Sequence, residues 1–193
     1  AGTVHLFGSP CVRMALTLRP ALRVKHILFK SDTYLMICID EKDNLNVYDL
    51  SRRDPHAAAM HGARRAAPGQ TQMTNSDAPM RIGIHSARNV VLCAEVTSIH
   101  SMLFLGLTDG SVEAYDLERF CGTQYRIPNL WWNEEEILRR SQVPNAPSRL
   151  HTPLIIDIQT HPRDPGILLL CYEGGAVIYS CLLYTSPSPR DRG

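Results

Sequence analysis

The sequence predicts an all-β chain, a partial β-propeller of WD type, and three observations carry that prediction. An apolar run, a tight turn and a second strand-like run form a unit that occurs three times. The turns hold Asp-Asn, Asp-Gly or Gly-Gly, residues that tolerate the positive φ of two-residue hairpins, so the runs pair antiparallel. Two copies end on Tyr-Asp, in the place where a WD-type blade carries Trp-Asp at the close of its third strand.

In the first copy, Tyr34–Ile39 (YLMICI) passes through Glu41-Lys42-Asp43-Asn44 into Leu45–Leu50 (LNVYDL), with Tyr48 and Asp49 closing the strand. In the second, Met102–Leu107 (MLFLGL) turns at Thr108-Asp109-Gly110 into Ser111–Leu117 (SVEAYDL), closed by Tyr115 and Asp116. In the third, Ile167–Tyr172 (ILLLCY) turns at Glu173-Gly174-Gly175 into Ala176–Ser180. The opening GTVHLFG matches the second half of the same unit. Further apolar segments precede the hairpins, at Leu22–Phe29, Val90–Val96 and Leu154–Ile158. Three readable strands and a fainter fourth are the content of one blade, which gives about three to four blades.

The two Tyr-Asp pairs are 67 residues apart, against about 40–45 for a compact blade. Two segments account for the excess. Ser51–Met80 contains no Val, Ile, Leu, Phe, Tyr or Trp; it cannot bury enough apolar surface to offset its ordering entropy and is expected to be a disordered, solvated loop. Glu118–His151 holds both tryptophans, within Tyr125-Arg126-Ile127-Pro128-Asn129-Leu130-Trp131-Trp132. After it, Asn133 is placed to cap a short helix over Glu134–Arg140, with Glu135→Arg139 and Glu136→Arg140 at the favourable spacing. Arg126, Asn129, Trp131 and Trp132 are the candidate functional residues, read either as an anchor pinning this loop to the blades or as a partner hot spot. Asp109, Gly110, Gly174 and Gly175 are read as structural turn residues. The chain thus divides into blade strands over 1–50, the insert over 51–80, a blade over 81–117, the Trp-containing loop over 118–151, a blade over 152–180 and a tail over 181–193.

Composition narrows the function. The formal net charge of +1 is far from the basic stripe that nucleic-acid binding requires. The apolar runs are about seven residues, well short of the roughly 20 of a membrane helix. The cysteines show no C-x-x-C pair, which argues against a zinc site and for a reduced, intracellular setting. There is no G-x-x-x-x-G-K-[ST] loop, no G-x-S-x-G elbow and no H-E-x-x-H pair. His161-Pro162-Arg163-Asp164-Pro165-Gly166 reads as a turn between two strands. The expectation is a binding scaffold with no catalytic role and no cofactor or metal.

The run LFLGLTDGSVEAYDLERF, then YRIPNLW, then THPRDPGILLLCYEGGAVIYS resembles the lethal giant larvae and tomosyn family, closest to its fungal branch. The resemblance covers most of Gly2–Ser180 and implies a large cytosolic protein with two seven-bladed propellers, this chain supplying about half of the first. It further implies binding to syntaxin-class t-SNAREs, contacts with Rab-type GTPases and type II myosin, regulation of exocytosis and cell polarity, and peripheral placement at the plasma membrane through partners. Two features depart from the pattern: the length of the 51–80 insert, and the absence here of the C-terminal region most tied to SNARE regulation. The second reading is a WD-repeat adaptor of another system, such as a ubiquitin-ligase substrate receptor.

Two expectations concern the chain's ends. Ala1 falls inside a strand-like run, so the chain reads as truncated at its start. The peptide Cys181–Asp191 is similar to a direct translation of a common transposase sequencing adapter, so 181–193 reads as an artefact. Without that tail the net charge is zero.

Overall fold

In the computed structural model, residues 3–8, 12–18, 21–30, 32–53, 79–97, 101–131, 153–164 and 166–181 are described, and their regular structure is entirely strand. The strands are β1 Thr3–Gly8, β2 Val12–Thr17, β3 Val24–Lys30, β4 Leu35–Asp40, β5 Asn44–Arg53, β6 Pro79–Ser86 and β7 Val91–Val96. They continue as β8 Met102–Leu107, β9 Val112–Asp116, β10 Cys121–Ile127, β11 Ile155–Thr160, β12 Ile167–Tyr172 and β13 Gly175–Ser180. Sheet I is β1-β2, sheet II is β3-β4-β5-β6, sheet III is β7-β8-β9-β10 and sheet IV is β11-β12-β13. Every neighbouring pair is antiparallel and consecutive in sequence, the local meander of a propeller blade. Strand β7 lies against both β3 and β11, so the first strands of successive blades share the inner edge. The chain is a partial β-propeller.

The reason β4 and β8 read as unbroken apolar runs is that both of their faces are covered. On β8, Leu103, Leu105 and Leu107 enter a core shared with Ile37, Ile39, Leu45 and Val47 of sheet II. Phe104, on the other face, enters a core shared with Ile155, Ile158, Leu168 and Leu170 of sheet IV. Strand β4 divides the same way: Met36 and Cys38 face Val4 and Leu16 of sheet I. Each fully buried aliphatic side chain contributes about 1.5–3 kcal/mol, so these junctions, more than any single sheet, hold the fold. On the far side of sheet IV, by contrast, Ile156 and Ile178 are exposed.

The hairpin turns follow their chemistry. Asp43 has φ 62° and Gly110 has φ 75°, the left-handed region that a tight turn between right-twisted strands demands. Asp40 is buried but satisfied, its carboxylate accepting from the backbone N–H groups of Lys42 and Asn44 at 2.9 and 3.0 Å.

Three boundaries differ from the sequence expectation. Ser51–Arg53 and Pro79–Met80 belong to β5 and β6, and Arg53 still pairs with Pro79; the ladder continues because backbone pairing needs no apolar side chains. Cys121–Ile127, placed in the Trp-containing loop, is the outer strand of sheet III; its mostly polar sequence reflects a position at the rim. Most of the insert, the helix expected over Glu134–Arg140, Trp132 and residues 182–193 lie outside the described residues. Among the described residues no helix is long and apolar enough to cross a membrane, and no group of three or more His, Cys, Asp or Glu is placed to hold a metal.

Candidate functional site

The turn between β8 and β9 builds the site. Asp109 Oδ1 accepts from the Ser111 N–H at 3.0 Å and from the Ser111 hydroxyl at 2.5 Å, a local Asx arrangement that fixes the turn. Arg126, on the neighbouring strand β10, reaches back over it: its Nη2 pairs with Asp109 Oδ2 at 2.5 Å and donates to the Ser111 hydroxyl at 2.9 Å. Burial alone would raise the Asp109 carboxyl, but the two Ser111 hydrogen bonds and the Arg126 charge outweigh it and hold the group below its ordinary 3.8. The residues Asp109, Ser111, Arg126, Pro128 and Asn129 enclose an open hollow of about 280 Å³.

Beyond β10, the chain crosses to sheet IV. Asn129 Nδ2 donates to the backbone carbonyls of Asp109 at 3.2 Å and Pro153 at 3.4 Å, tying three segments together. A side chain at Gly110 would collide with that amide, so glycine here serves both the left-handed φ and the clearance. The Tyr172 hydroxyl donates to the Gly110 carbonyl at 3.2 Å. Trp131 stacks on the Tyr172 ring, centroids 6.2 Å apart and planes 25° apart. Its indole also lies flat on the β12–β13 turn: a Cβ at Gly174 would stand 3.0 Å from Nε1, and one at Gly175 would stand 2.5 Å from Cη2.

Seven of the residues singled out in the sequence therefore meet at one end of the junction between sheets III and IV: Asp109, Gly110, Arg126, Asn129, Trp131, Gly174 and Gly175. Tyr48, Asp49, Tyr115 and Asp116 do not join them. They sit at the opposite end of their strands, where Tyr48 and Tyr115 fill the junction cores. There Asp49 and Asp116 cap the strand exits by accepting from the N–H groups of Ser51 and Glu118 at 2.9 and 2.8 Å. Two members of the cluster were not singled out in the sequence, Ser111 and Tyr172. Their signals are faint but physical: a serine two residues after a turn aspartate, and a tyrosine at the last strand position before Glu-Gly-Gly. Between β11 and β12, His161 Nδ1 accepts from the Asp164 N–H at 2.9 Å. What the site offers is hydrogen-bonding groups and an aromatic face at a blade junction.

Consecutive four-stranded antiparallel meanders sharing an inner edge define a WD-like β-propeller, and a solved structure agrees. The crystal structure of Chaetomium thermophilum Raptor superposes with a TM-score of 0.54 over 93% of this chain and 14% of that one, at 13% identity, a likeness of fold. No family model matches the chain. By sequence it is similar to the lethal(2) giant larvae protein homolog SRO77 of Saccharomyces cerevisiae, 27% identical over 184 residues, which is 95% of this chain and 14% of that protein. It is also similar to the uncharacterized protein C1F3.03 of Schizosaccharomyces pombe, 29% identical over 108 residues, 56% of this chain and 11% of that protein. The chain thus spans only a small part of these relatives.

Proposed function

We propose that this chain is part of a WD-repeat scaffold of the lethal giant larvae and tomosyn kind, one that binds syntaxin-class t-SNAREs and regulates exocytosis and cell polarity. The observation that carries the reading is the similarity to SRO77 along 95% of the chain, borne on propeller blades. Rab-type GTPase and type II myosin contacts, a cytoplasmic location and peripheral placement at the plasma membrane belong to the same proposal. So does the absence of catalysis: binding energy in such a protein comes from loops and blade ends rather than from a reacting centre.

The test is a binding assay with the full-length protein that carries this chain, against the purified cytosolic domain of a syntaxin-class SNARE and a GTP-loaded secretory Rab. Saturable binding of the SNARE is expected. A full-length protein that folds but binds neither, and instead assembles with ubiquitin-ligase subunits, overturns the reading in favour of a different WD adaptor. In the same assay, Trp131→Ala is expected to weaken binding by releasing the loop from the Gly174-Gly175 turn. Unchanged binding would remove Trp131 from the partner surface without touching the scaffold assignment.

A further inference from the structure

A second polar cavity lies at the junction between sheets II and III, away from the cluster described above. It has a volume of about 130 Å³ and is lined by His85, Arg88, Leu105, Glu113, Ala114, Tyr115, Gly122 and Thr123. Such a volume has room for more than one water-sized group. Tyr115 is only 1% exposed, and its hydroxyl has no hydrogen-bond partner. Glu113 Oε1 is likewise buried without a hydrogen bond. Arg88 is its ion-pair partner, with Nε 3.5 Å away on a side chain that is 69% exposed. The His85 ring packs at a tilt against Tyr115, centroids 5.1 Å apart. It rests on Gly122, where a Cβ would come within 3.0 Å of the imidazole.

Leaving a buried polar group unpaired costs about 1–3 kcal/mol, more for a charged one, so two such atoms in one cavity point to a missing partner. Its chemistry can be read by elimination. A carboxylate accepts only, so an anionic ligand would be repelled by Glu113. A ligand offering only acceptors would leave that oxygen unpaired, and an apolar one would leave both atoms unpaired. What fits is a positively charged group with several N–H donors. Leu105, which shares a face of sheet III with Glu113 and Tyr115, supplies an apolar wall on which a short alkyl stem can lie. We infer that this cavity is a receptor for a primary ammonium group, which donates to Glu113 Oε1 and Tyr115 Oη while its alkyl stem packs on Leu105. The ammonium is that of a free alkylamine or of a lysine side chain on a binding protein. Arg88 closes the mouth and swings aside on binding, at little cost because an exposed ion pair is worth little. Burial pushes the Tyr115 phenol up to about 12, so it remains a neutral hydroxyl with an oxygen free to accept. This inference does not rest on the proposed SNARE scaffold.

The test is a titration of the full-length protein, labelled at leucine methyls, with n-butylammonium chloride, following the Leu105 resonance. Saturable movement of Leu105 is expected, weakened on the order of tenfold or more in Glu113→Gln, which removes the charge and keeps the shape. Tyr115→Phe weakens it several-fold, and Arg88→Ala tightens it by opening the mouth. Butan-1-ol, of equal shape and no charge, leaves Leu105 in place. A second arm uses a lysine-containing peptide and its Nε-acetylated form: movement by the first alone assigns a protein lysine as the source, and movement by butylammonium but by neither peptide assigns a free amine. Failure of butylammonium to move Leu105 saturably, equal binding of butan-1-ol, or binding unchanged in Glu113→Gln overturns the inference and leaves the cavity to water.

Discussion

The II/III and III/IV junctions meet one geometric demand with different chemistry. In each, the turn joining the second and third strands of a blade must dock on the start of the next blade. At II/III the turn residue is Asp43, largely buried, which pairs with Lys25 Nζ at 2.6 Å and accepts from the Val91 N–H at 2.8 Å. Its own carbonyl accepts from the Ala87 N–H at 3.0 Å. At III/IV the turn residue is Gly110, and neutral groups, Asn129 and Tyr172, make the connection under a tryptophan. Side chains crowd the backbone there: a Cβ on Gly106 would collide with Cys93 Sγ and come within 2.9 Å of Ile155 Cγ2. The first junction retains a polar cavity of about 130 Å³ outboard of its core, whereas the second packs tightly at Gly106 and leaves its hollow at the Asp109 and Arg126 end. A charged side chain and a neutral amide can thus serve the same docking step.

Five substitutions and two pH ranges sharpen that contrast. The largest effect is expected from Gly106→Val, which forces the III/IV junction apart; the loss is about 2–3 kcal/mol in denaturant unfolding of the full-length protein. Asp43→Ala comes next, at about 2 kcal/mol, because it orphans the Val91 N–H, strands the Lys25 charge and puts alanine at a left-handed φ; a loss near zero would show that the charged clamp is ornamental. Trp131→Ala is expected to cost about 1–2 kcal/mol, from the ring contact with Tyr172 and the uncovered Gly174-Gly175 turn.

The smallest effects separate the two junctions by pH. Burial, and next the Lys25 charge, hold the half-buried His26 imidazole below its ordinary 6.5, against the opposing pull of Asp43. The unfolded chain therefore takes up this proton first, and stability at II/III falls as pH drops below about 6.5. Asp109 behaves differently. Its folded pKa lies below 3.8, so its contribution is present above that pH and is lost only as pH falls through the lower folded value. The melting temperature should decline between pH 7 and 5 in the native sequence and less so in His26→Gln. Asp109→Asn should change the profile only near pH 4 and below. An Asp109→Asn profile that departs already at pH 6 would contradict this division.

Much of this arrangement is legible in the sequence because hairpin chemistry is local. Asp43, Gly110 and Gly174-Gly175 announce their turns, and YLMICI and MLFLGL announce strands covered on both faces. The outer strands β6 and β10 were hard to read since a rim strand needs backbone partners but little apolar surface, as Cys121–Ile127 shows. The clamps were harder still. Nothing in VKHILFK says that Lys25 will meet an aspartate 18 positions on, and nothing in MLFLGL says that Gly106 faces Cys93 rather than solvent. Trp131 and Asn129 stood out by residue type, yet the surfaces they rest on come from a different blade. Contacts of that range are set by the stacking of blades, which periodicity within one strand does not encode.

The rungs at the base of each long connection have a consequence for how such a chain can change. Arg53 pairs with Pro79 at the end of the β5–β6 ladder, and Asn129 holds Asp109 beside Pro153 where the chain leaves and re-enters the blades. The two ends of each intervening segment are thus clasped by the blades themselves. Closing a clasped loop of twice the length costs only about 0.6 kcal/mol more. The pairing of Arg53 with Pro79 and the ties of Asn129 thus hold the described strands in register from their own side, whatever length of chain joins them.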